Sequence, residues 1–566
     1  MKLLIKSEKL FLKQNKLLKY DTENSKSLMK KTIFTIIAIL FFTNIFAQDT
    51  LNFNYVNSKT YEYYLSKNWN SLIILGKAAL KNDIDFYYLQ VRMGIAYYEK
   101  GKYRQANKYF ESALSQNEDN ALISEYLYYS YLFSGREKDA LHLAREFAPQ
   151  LRTKLGLDKT PFVKNISVSV AYIKNSGIKN LQKIDIDGED NNLGEQTIIN
   201  NTMDYNIGLT HRLGKEATLT YNFTQVSTNE TQRILSSGVE NNFSIQNSQN
   251  QFYIKSDFRL ANKMSMNIAF NLISVKTNKN ILTRTFEQSD YTEHSSSEFT
   301  NTLTGETVIV DTYDTIFNYN TVEASEFDLE ESNWKDFALS IGLWRDFTFA
   351  KIGGNLSIYN LNYTTYFQPS ISLITYPFAN LNFYTFTSLT DQISQNTEIS
   401  FGAGPQGPPS PPQRPQGISL INNYVFKQTV GFKITDNLWS EIFYTAGNIY
   451  NYADNDVFTI YNTAEPVKQE LGTSFFFLMF KNKLKLNLNY TLIQQQNIYT
   501  TSTLFNTFTE DIDGVSVSKY TYPNGTETWE NSEEITKSKN IFIYSPSENN
   551  SLYFNHLITA GLTWYF

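Results

Sequence analysis

Gly561-Leu562-Thr563-Trp564-Tyr565-Phe566 closes a run in which alternate positions are apolar or small: Phe554, His556, Ile558, Ala560, Leu562, Trp564 and Phe566. Between them stand Asn555, Leu557, Thr559, Gly561 and Thr563. A period of two sustained over residues 554–566 gives a strand two chemically different faces. A tilted strand crossing a bilayer needs that, with one face in lipid and the other on a lumen. A half-buried strand of a soluble sandwich would alternate in the same way, so the rest of the chain has to decide.

Met29-Lys30-Lys31 is followed by an apolar run from Ile33 to Phe42 and by Ile45-Phe46-Ala47 before Gln48. A charged start, a short apolar core and a small residue at the cut predict a secretory signal over 29–47, cleaved after Ala47. The core is too short to span a bilayer as a helix. Residues 1–28 are lysine-rich and fit no part of such a signal, so they are read as an upstream extension, with translation starting at Met29. With an export signal in place, the last strand resembles the closing strand of bacterial outer-membrane β-barrels. That resemblance implies that Trp564 and Phe566 belong to the barrel-insertion signal.

Composition agrees. Aromatic residues make up 15% of the chain, with 39 Tyr and 41 Phe, yet mean hydropathy is −0.37. Membrane helices would push that value positive, whereas a barrel hides its lipid face in alternation. Net charge is −6, so no basic field points to nucleic acid. The absence of cysteine rules out a lipoprotein anchor, a zinc-thiolate site, a nucleophilic thiol and disulfides.

Between about 50 and 150 the periodicity is helical. Tyr97, Gly101 and Ala106 recur as Tyr131, Gly135 and Ala140, 34 residues on, and the same step backwards takes Tyr103 to Trp69, Tyr97 to Tyr63 and Ala113 to Ala79. Such a period marks stacked helical hairpins. Met93-Gly94-Ile95-Ala96-Tyr97-Tyr98-Glu99-Lys100-Gly101-Lys102-Tyr103, followed by Ala106, Phe110 and Ala113, resembles a tetratricopeptide repeat. Gly94 and Ala106 would let two helices approach, and Gly101 would allow the tight turn. The pattern departs at Gln90, Glu118, Tyr128 and Glu137, which leaves one good copy between two degenerate ones. The resemblance implies a concave face that binds a protein partner, with Tyr88, Val91, Tyr98, Glu125 and Tyr129 on it.

From 161 to 566 the period is two. Runs such as Ile166/Val168/Val170/Tyr172, Tyr205/Ile207/Leu209, Met264/Met266/Ile268/Phe270, Phe337/Leu339/Ile341/Leu343 and Leu484/Leu486/Leu488/Tyr490, with weaker ones between, predict about 14 antiparallel strands. Predicted connections alternate in length. Short ones fall at Gly214-Lys215, Ala261-Asn262, Arg345-Asp346, Pro377–Asn380, Thr435–Asn437 and Lys481–Lys483, and long ones at 175–201, 228–250, 277–332, 390–420, 449–470 and 495–550. Outer-membrane barrels sort their loops in this way, with both termini periplasmic. A connection near Asn360 to Thr364 is short where a long one is due. Trp344, Trp439 and Trp564 fall near the periplasmic strand ends, the depth of an aromatic girdle, although Trp439 shares a face with Glu441.

Chemistry-bearing residues are sparse. The four histidines are His142, His211, His294 and His556; only His294-Ser295-Ser296 has hydrolase-like spacing, and no partner pattern surrounds it. The chain is therefore not read as an enzyme, and no cofactor or metal is assigned. Asp185-Ile186-Asp187-Gly188 and Asp511-Ile512-Asp513-Gly514 place carboxylates two apart, but the glycine comes too early for a helix–loop–helix calcium site. Polar turn tips account for both. Gly402–Gly417 holds six of the 13 prolines and reads as an extended spacer.

The sequence thus predicts helical-hairpin repeats over 50–150 in the periplasm and an outer-membrane barrel over 161–566, in contact with outer-membrane lipid. The order resembles exopolysaccharide-export proteins, which implies a repeat module that recruits a partner in secretion, export or envelope assembly. The alternative is a surface receptor or structural, adhesive barrel acting through long extracellular loops.

Overall fold

The computed structural model describes residues 51–566 apart from 118–119, 160, 177–191, 215, 237–238, 287–290, 301–306, 317–323, 363, 397–418, 463–464, 505–507, 513–514, 522–526 and 532–541. The upstream extension, the signal segment, the Asp185–Gly188 motif and the proline-rich stretch lie outside the described residues, as do Asp513 and Gly514.

Seven α-helices fill residues 53–154: α1 Phe53–Leu65, α2 Trp69–Lys81, α3 Tyr87–Glu99, α4 Tyr103–Gln116, α5 Ala121–Phe133, α6 Glu137–Leu143 and α7 Pro149–Lys154. The 34-residue step of the sequence is also the step of the helices. Phe53, Tyr87 and Ala121 begin α1, α3 and α5, while Trp69, Tyr103 and Glu137 begin α2, α4 and α6. Left-handed turns recur in the same phase, at Lys67 (φ 54°), Gly101 (φ 66°) and Gly135 (φ 78°). Glycine adopts that conformation freely, whereas Lys67 does so at a steric cost. Asn52, Asn68 and Asn120 cap α1, α2 and α5, each side chain accepting the backbone N–H of the residue three positions on. The small residues serve close approach: a Cβ on Gly94 would stand 2.5 Å from the Phe110 ring. Ala79, Ala106, Ala113 and Ala140 are fully buried.

These helices divide between two compact units. Residues up to Lys100, with Tyr109–Glu118, form one; Gly101–Lys108 and everything from Asp119 onward form the other. The last hairpin and the start of α4 therefore belong with the strands.

Fourteen of the described strands close into an antiparallel barrel. They are β1 Val163–Asn175, β2 Asn192–Leu213, β3 Ala217–Ser236, β4 Val239–Ala261, β5 Met264–Phe286, β6 Ala324–Asp346, β7 Ala350–Leu361, β8 Thr364–Thr375, β9 Phe383–Asn396, β10 Ser419–Thr435, β11 Leu438–Ile449, β12 Val467–Met479, β13 Leu484–Leu504 and β14 Phe542–Tyr565. Each pairs with its neighbours in sequence, and β14 closes on β1 with Trp564 opposite Ile166. Tyr565 and Phe566 extend the ladders, their N–H groups reaching Lys483 O and Lys164 O at 2.7 and 3.2 Å.

The alternation sorts faces as read from the sequence. Ile166, Val168, Val170 and Tyr172 on β1 and Phe554, Ile558, Leu562, Trp564 and Phe566 at the end of the chain are exposed, while Tyr553 and Asn555 are buried. Leu339, Ile341 and Leu343 on β6 and Leu488 and Tyr490 on β13 continue this exposed apolar band around the ring. A contiguous outward belt of that kind is unfavourable in water and is what lipid requires. No helix among the described residues is long and apolar enough to cross a membrane.

Two details differ from the sequence reading, and a third bears it out. The stretch 228–250 is not a long loop: β3 and β4 stay paired to Ser236 and Val239, because residues such as Thr228, Thr231 and Ile245 continue a ladder beyond the membrane-length core. The connection at 362–363 really is short, with Thr364 pairing back to Leu361. Of the three girdle tryptophans, Trp564 faces out, whereas Trp344 lies on the inward parity of Ala338 and Ser340, and Trp439 on that of Glu441.

Candidate functional site: an inward hairpin and a docked rim

The connection between β11 and β12 contains a small antiparallel hairpin, Tyr452–Asp454 with Thr459–Tyr461. Its residues are met by side chains from the inner face of the barrel. Asp456 takes Lys255 of β4 at 2.8 Å and Asn355 of β7 at 2.6 Å. Asp454 takes Lys427 of β10 at 2.6 Å. The hairpin's backbone carbonyls are claimed as well: Asn271 of β5 donates to Val457 O, Gln368 of β8 to Ala453 O and Gln392 of β9 to Asn451 O. Lys255 and Lys427 stand six strands apart in a ring of fourteen, so the hairpin crosses the lumen.

Apolar burial adds to this. Val457 is fully buried among Tyr253, Ala269, Ile273, Ala338 and Tyr359, with Phe458 and Ile460 packed against the same cluster. Removing such a side chain from water contributes roughly 2 kcal/mol. The tip is also strained: Asn455, Asp456 and Val457 have φ of 52°, 56° and 59°. For a β-branched residue this is an outlier, which persists only where surrounding contacts over-determine it. Here the two ion pairs and the apolar cluster supply those contacts. Just after the hairpin in sequence, Glu465 is buried against the Tyr553 hydroxyl and the Asn497 amide. Burial pushes its carboxyl up to about 8, so near neutrality it is largely protonated.

A second construction occupies the short-turn end, within the unit that holds the barrel. Arg104, at the start of α4, is buried with Nη2 on Asp346 Oδ1 at 2.7 Å and on Phe347 O at 2.8 Å, Nε on Thr348 O and Nη1 on Ser134 O. Its guanidinium lies 4.1 Å from the centre of the Tyr376 ring. Arg136 donates to Asp139 and to Asn262, and Asp139 in turn accepts from Arg259 at 2.8 Å. His142 and Arg145 converge on Glu216. The hydrogen bond from His142, then the Arg145 charge, hold that carboxyl below the usual range. Lys164 reaches Glu137 at 2.6 Å. The turns β2–β3, β4–β5 and β6–β7 are thereby tied to α4–α6, and Asn380 in β8–β9 donates to Gly101 O. Planar, five-donor guanidiniums suit this task, since each satisfies several carbonyls at once.

The residues expected on the concave face have varied surroundings. Tyr88 is exposed, and with Tyr61 it flanks the Arg92 guanidinium, at 5.7 and 5.0 Å from the ring centres. Val91 and Tyr98 are half-buried on the same helix. Glu125 pairs with Lys154 at 2.6 Å, and Tyr129 stacks on Phe133. Neither the lumen hairpin nor the arginine rim was anticipated from sequence. The one available signal was the Tyr450–Tyr461 composition, polar loop residues interrupted by Tyr, Ala, Val, Phe and Ile.

No family model matches the chain, and no curated protein matches it. Among solved structures, the toluene transporter TodX of Pseudomonas putida aligns at 8% identity over 75% of this chain and 94% of that one, with a TM-score of 0.34. A Pseudomonas aeruginosa FadL homologue aligns at 9% over 71% and 90%, with 0.32. The Ralstonia pickettii toluene transporter TbuX gives 7% over 72% and 90%, with 0.34. At such values the barrel assignment stands on the chain's own strand pairing.

Proposed function

We propose that this chain is an outer-membrane transport barrel whose passage is gated by the hairpin Tyr452–Tyr461, with a periplasmic tetratricopeptide-type module that holds a protein partner in secretion, export or envelope assembly. The hairpin spanning the lumen carries the reading. A barrel acting only through its outer surface has no use for a strained segment held across its interior by Lys255 and Lys427. The rim contacts of Arg104 and Arg136 tie the last helices before the barrel to its short turns. A receptor or adhesive barrel working through long outer loops remains the rival.

Planar-bilayer recording tests the gate. The wild-type barrel should conduct poorly, and replacing residues 452–461 with a short Gly-Ser link should open it. A deletion variant that folds yet conducts no better than wild type refutes gating. Deleting residues 50–100 should abolish capture of the periplasmic partner by crosslinking while leaving any loop-based binding intact. Topology is tested in the cysteine-free chain: a Cys at Ser410 should react with an impermeant maleimide on whole cells, and one at Asn482 should not. Insertion through the terminal aromatic predicts that Phe566→Ser lowers the heat-modifiable folded form; unchanged outer-membrane levels would remove that role.

A further inference from the structure

Three directly paired positions on the inner wall share an unusual construction. Trp344 on β6 faces Gly353 on β7, Tyr384 on β9 faces Gly431 on β10, and Phe443 on β11 faces Gly472 on β12. In each pair the ring occupies the space over the glycine. A Cβ on Gly353 would lie 2.4 Å from Trp344 Cε3, one on Gly431 2.2 Å from Tyr384 Cζ, and one on Gly472 2.2 Å from Phe443 Cζ. All three rings have the inward parity of their strands and all are half-buried. Missing Cβ atoms thus let three aromatic rings lie along the inner wall instead of projecting across it.

Polar groups are interleaved with them. The Tyr384 hydroxyl bonds Glu441, which is paired with Ser474. Lys351 Nζ stands 5.3 Å from the centre of the Trp344 ring. We propose that these rings are stacking platforms for a neutral glycan chain passing through the barrel, a substrate class that rests on the transport reading above. A sugar ring has an apolar C–H face, which packs on an aromatic face, and hydroxyl edges, which replace the water on Glu441, Ser474 and Lys351. A hydrocarbon would satisfy the rings but strip water from those groups without replacing its hydrogen bonds, at a cost. Rings placed on three separate strand pairs suit a repeating polymer better than one compact ligand.

The test uses the full chain with residues 452–461 replaced, in planar bilayers, with maltohexaose, cellohexaose and chitohexaose as probes and toluene as the contrast. At least one oligosaccharide should block current, glucose should do so far less, and Trp344→Ala, Tyr384→Ala and Phe443→Ala should each weaken the block about tenfold, the order of one aromatic contact. Tyr384→Phe should retain it. Gly353→Val, which keeps the tryptophan but displaces its ring, should weaken it. Binding of the same probes to the purified protein, read by tryptophan fluorescence, tests the platforms even where no current flows, so a failed channel and a failed glycan site give different results. No oligosaccharide bound in either assay, equal binding by the alanine variants, or tighter binding of toluene overturns the proposal.

Discussion

Two connections at the same end of the barrel meet opposite fates. The one between β3 and β4 continues its ladder outward from the membrane-length core as far as the Ser236–Val239 pair. The one between β11 and β12 folds inward and crosses the lumen. In sequence, 228–250 and 449–470 are polar stretches of comparable length. What separates them is the register of their own residues and what awaits on the opposite wall. Thr228, Glu230 and Gln232 find partners on the two strands beside them, β2 and β4. Asp454 and Asp456 find theirs on strands far away around the ring, at Lys427 and Lys255. A connection's length thus says little about its destination; the placement of complementary charge inside the barrel decides it.

The largest expected effect breaks this contrast outright. Replacing residues 452–461 should raise single-channel conductance severalfold, while removing Glu230–Ile245 and closing the ladder with an Asn-Gly turn should leave conductance unchanged. Equal effects of the two deletions would mean that the inward hairpin is no more a barrier than any other connection.

Next in size is the double change Lys255→Met with Lys427→Met. It leaves Asp454 and Asp456 without their cationic partners in the lumen. Removing one member of a buried pair costs about 3–5 kcal/mol. These side chains keep roughly a fifth of their surface accessible, so screening lowers the expected loss to about 1–3 kcal/mol. A Cys at Ala453, a buried position, should then react with maleimide about 5- to 150-fold faster at the decade per 1.4 kcal/mol. An unchanged rate would show that packing alone holds the hairpin.

The smallest effect concerns Val457→Gly. Glycine relieves left-handed strain of about 1–3 kcal/mol but forfeits burial of about 1.5–3 kcal/mol. The two nearly cancel, and the Ala453→Cys labelling rate should move by less than about 1 kcal/mol equivalent. A large loss would show that Val457 anchors the hairpin by packing; a large gain would show that strain dominates.

The barrel and its strand number were legible because lipid imposes a local rule: every second residue of a crossing strand must be apolar. The runs around Ile166, Leu339 and Trp564 obey it. The helical hairpins were legible for a similar reason, since the 34-residue step places Gly101 and Gly135 at left-handed turns and Ala106 and Ala140 at fully buried positions. The inward face carries no such rule. Trp344 and Trp439 looked like girdle residues from their depth in the strand, and only the parity of their neighbours turned them into the lumen.

Sequence by itself therefore determined the architecture, helical repeats followed by a fourteen-stranded barrel with its lipid face outward, because helix contacts and membrane crossing are read in neighbouring residues. Only the tertiary structure decided that Asp456 meets Lys255, 201 positions away, that Arg104 grips Asp346, 242 positions away, and that Trp344 lies over Gly353. Ring closure brings such residues together, and nothing periodic in the chain records which side chains will face each other across a lumen.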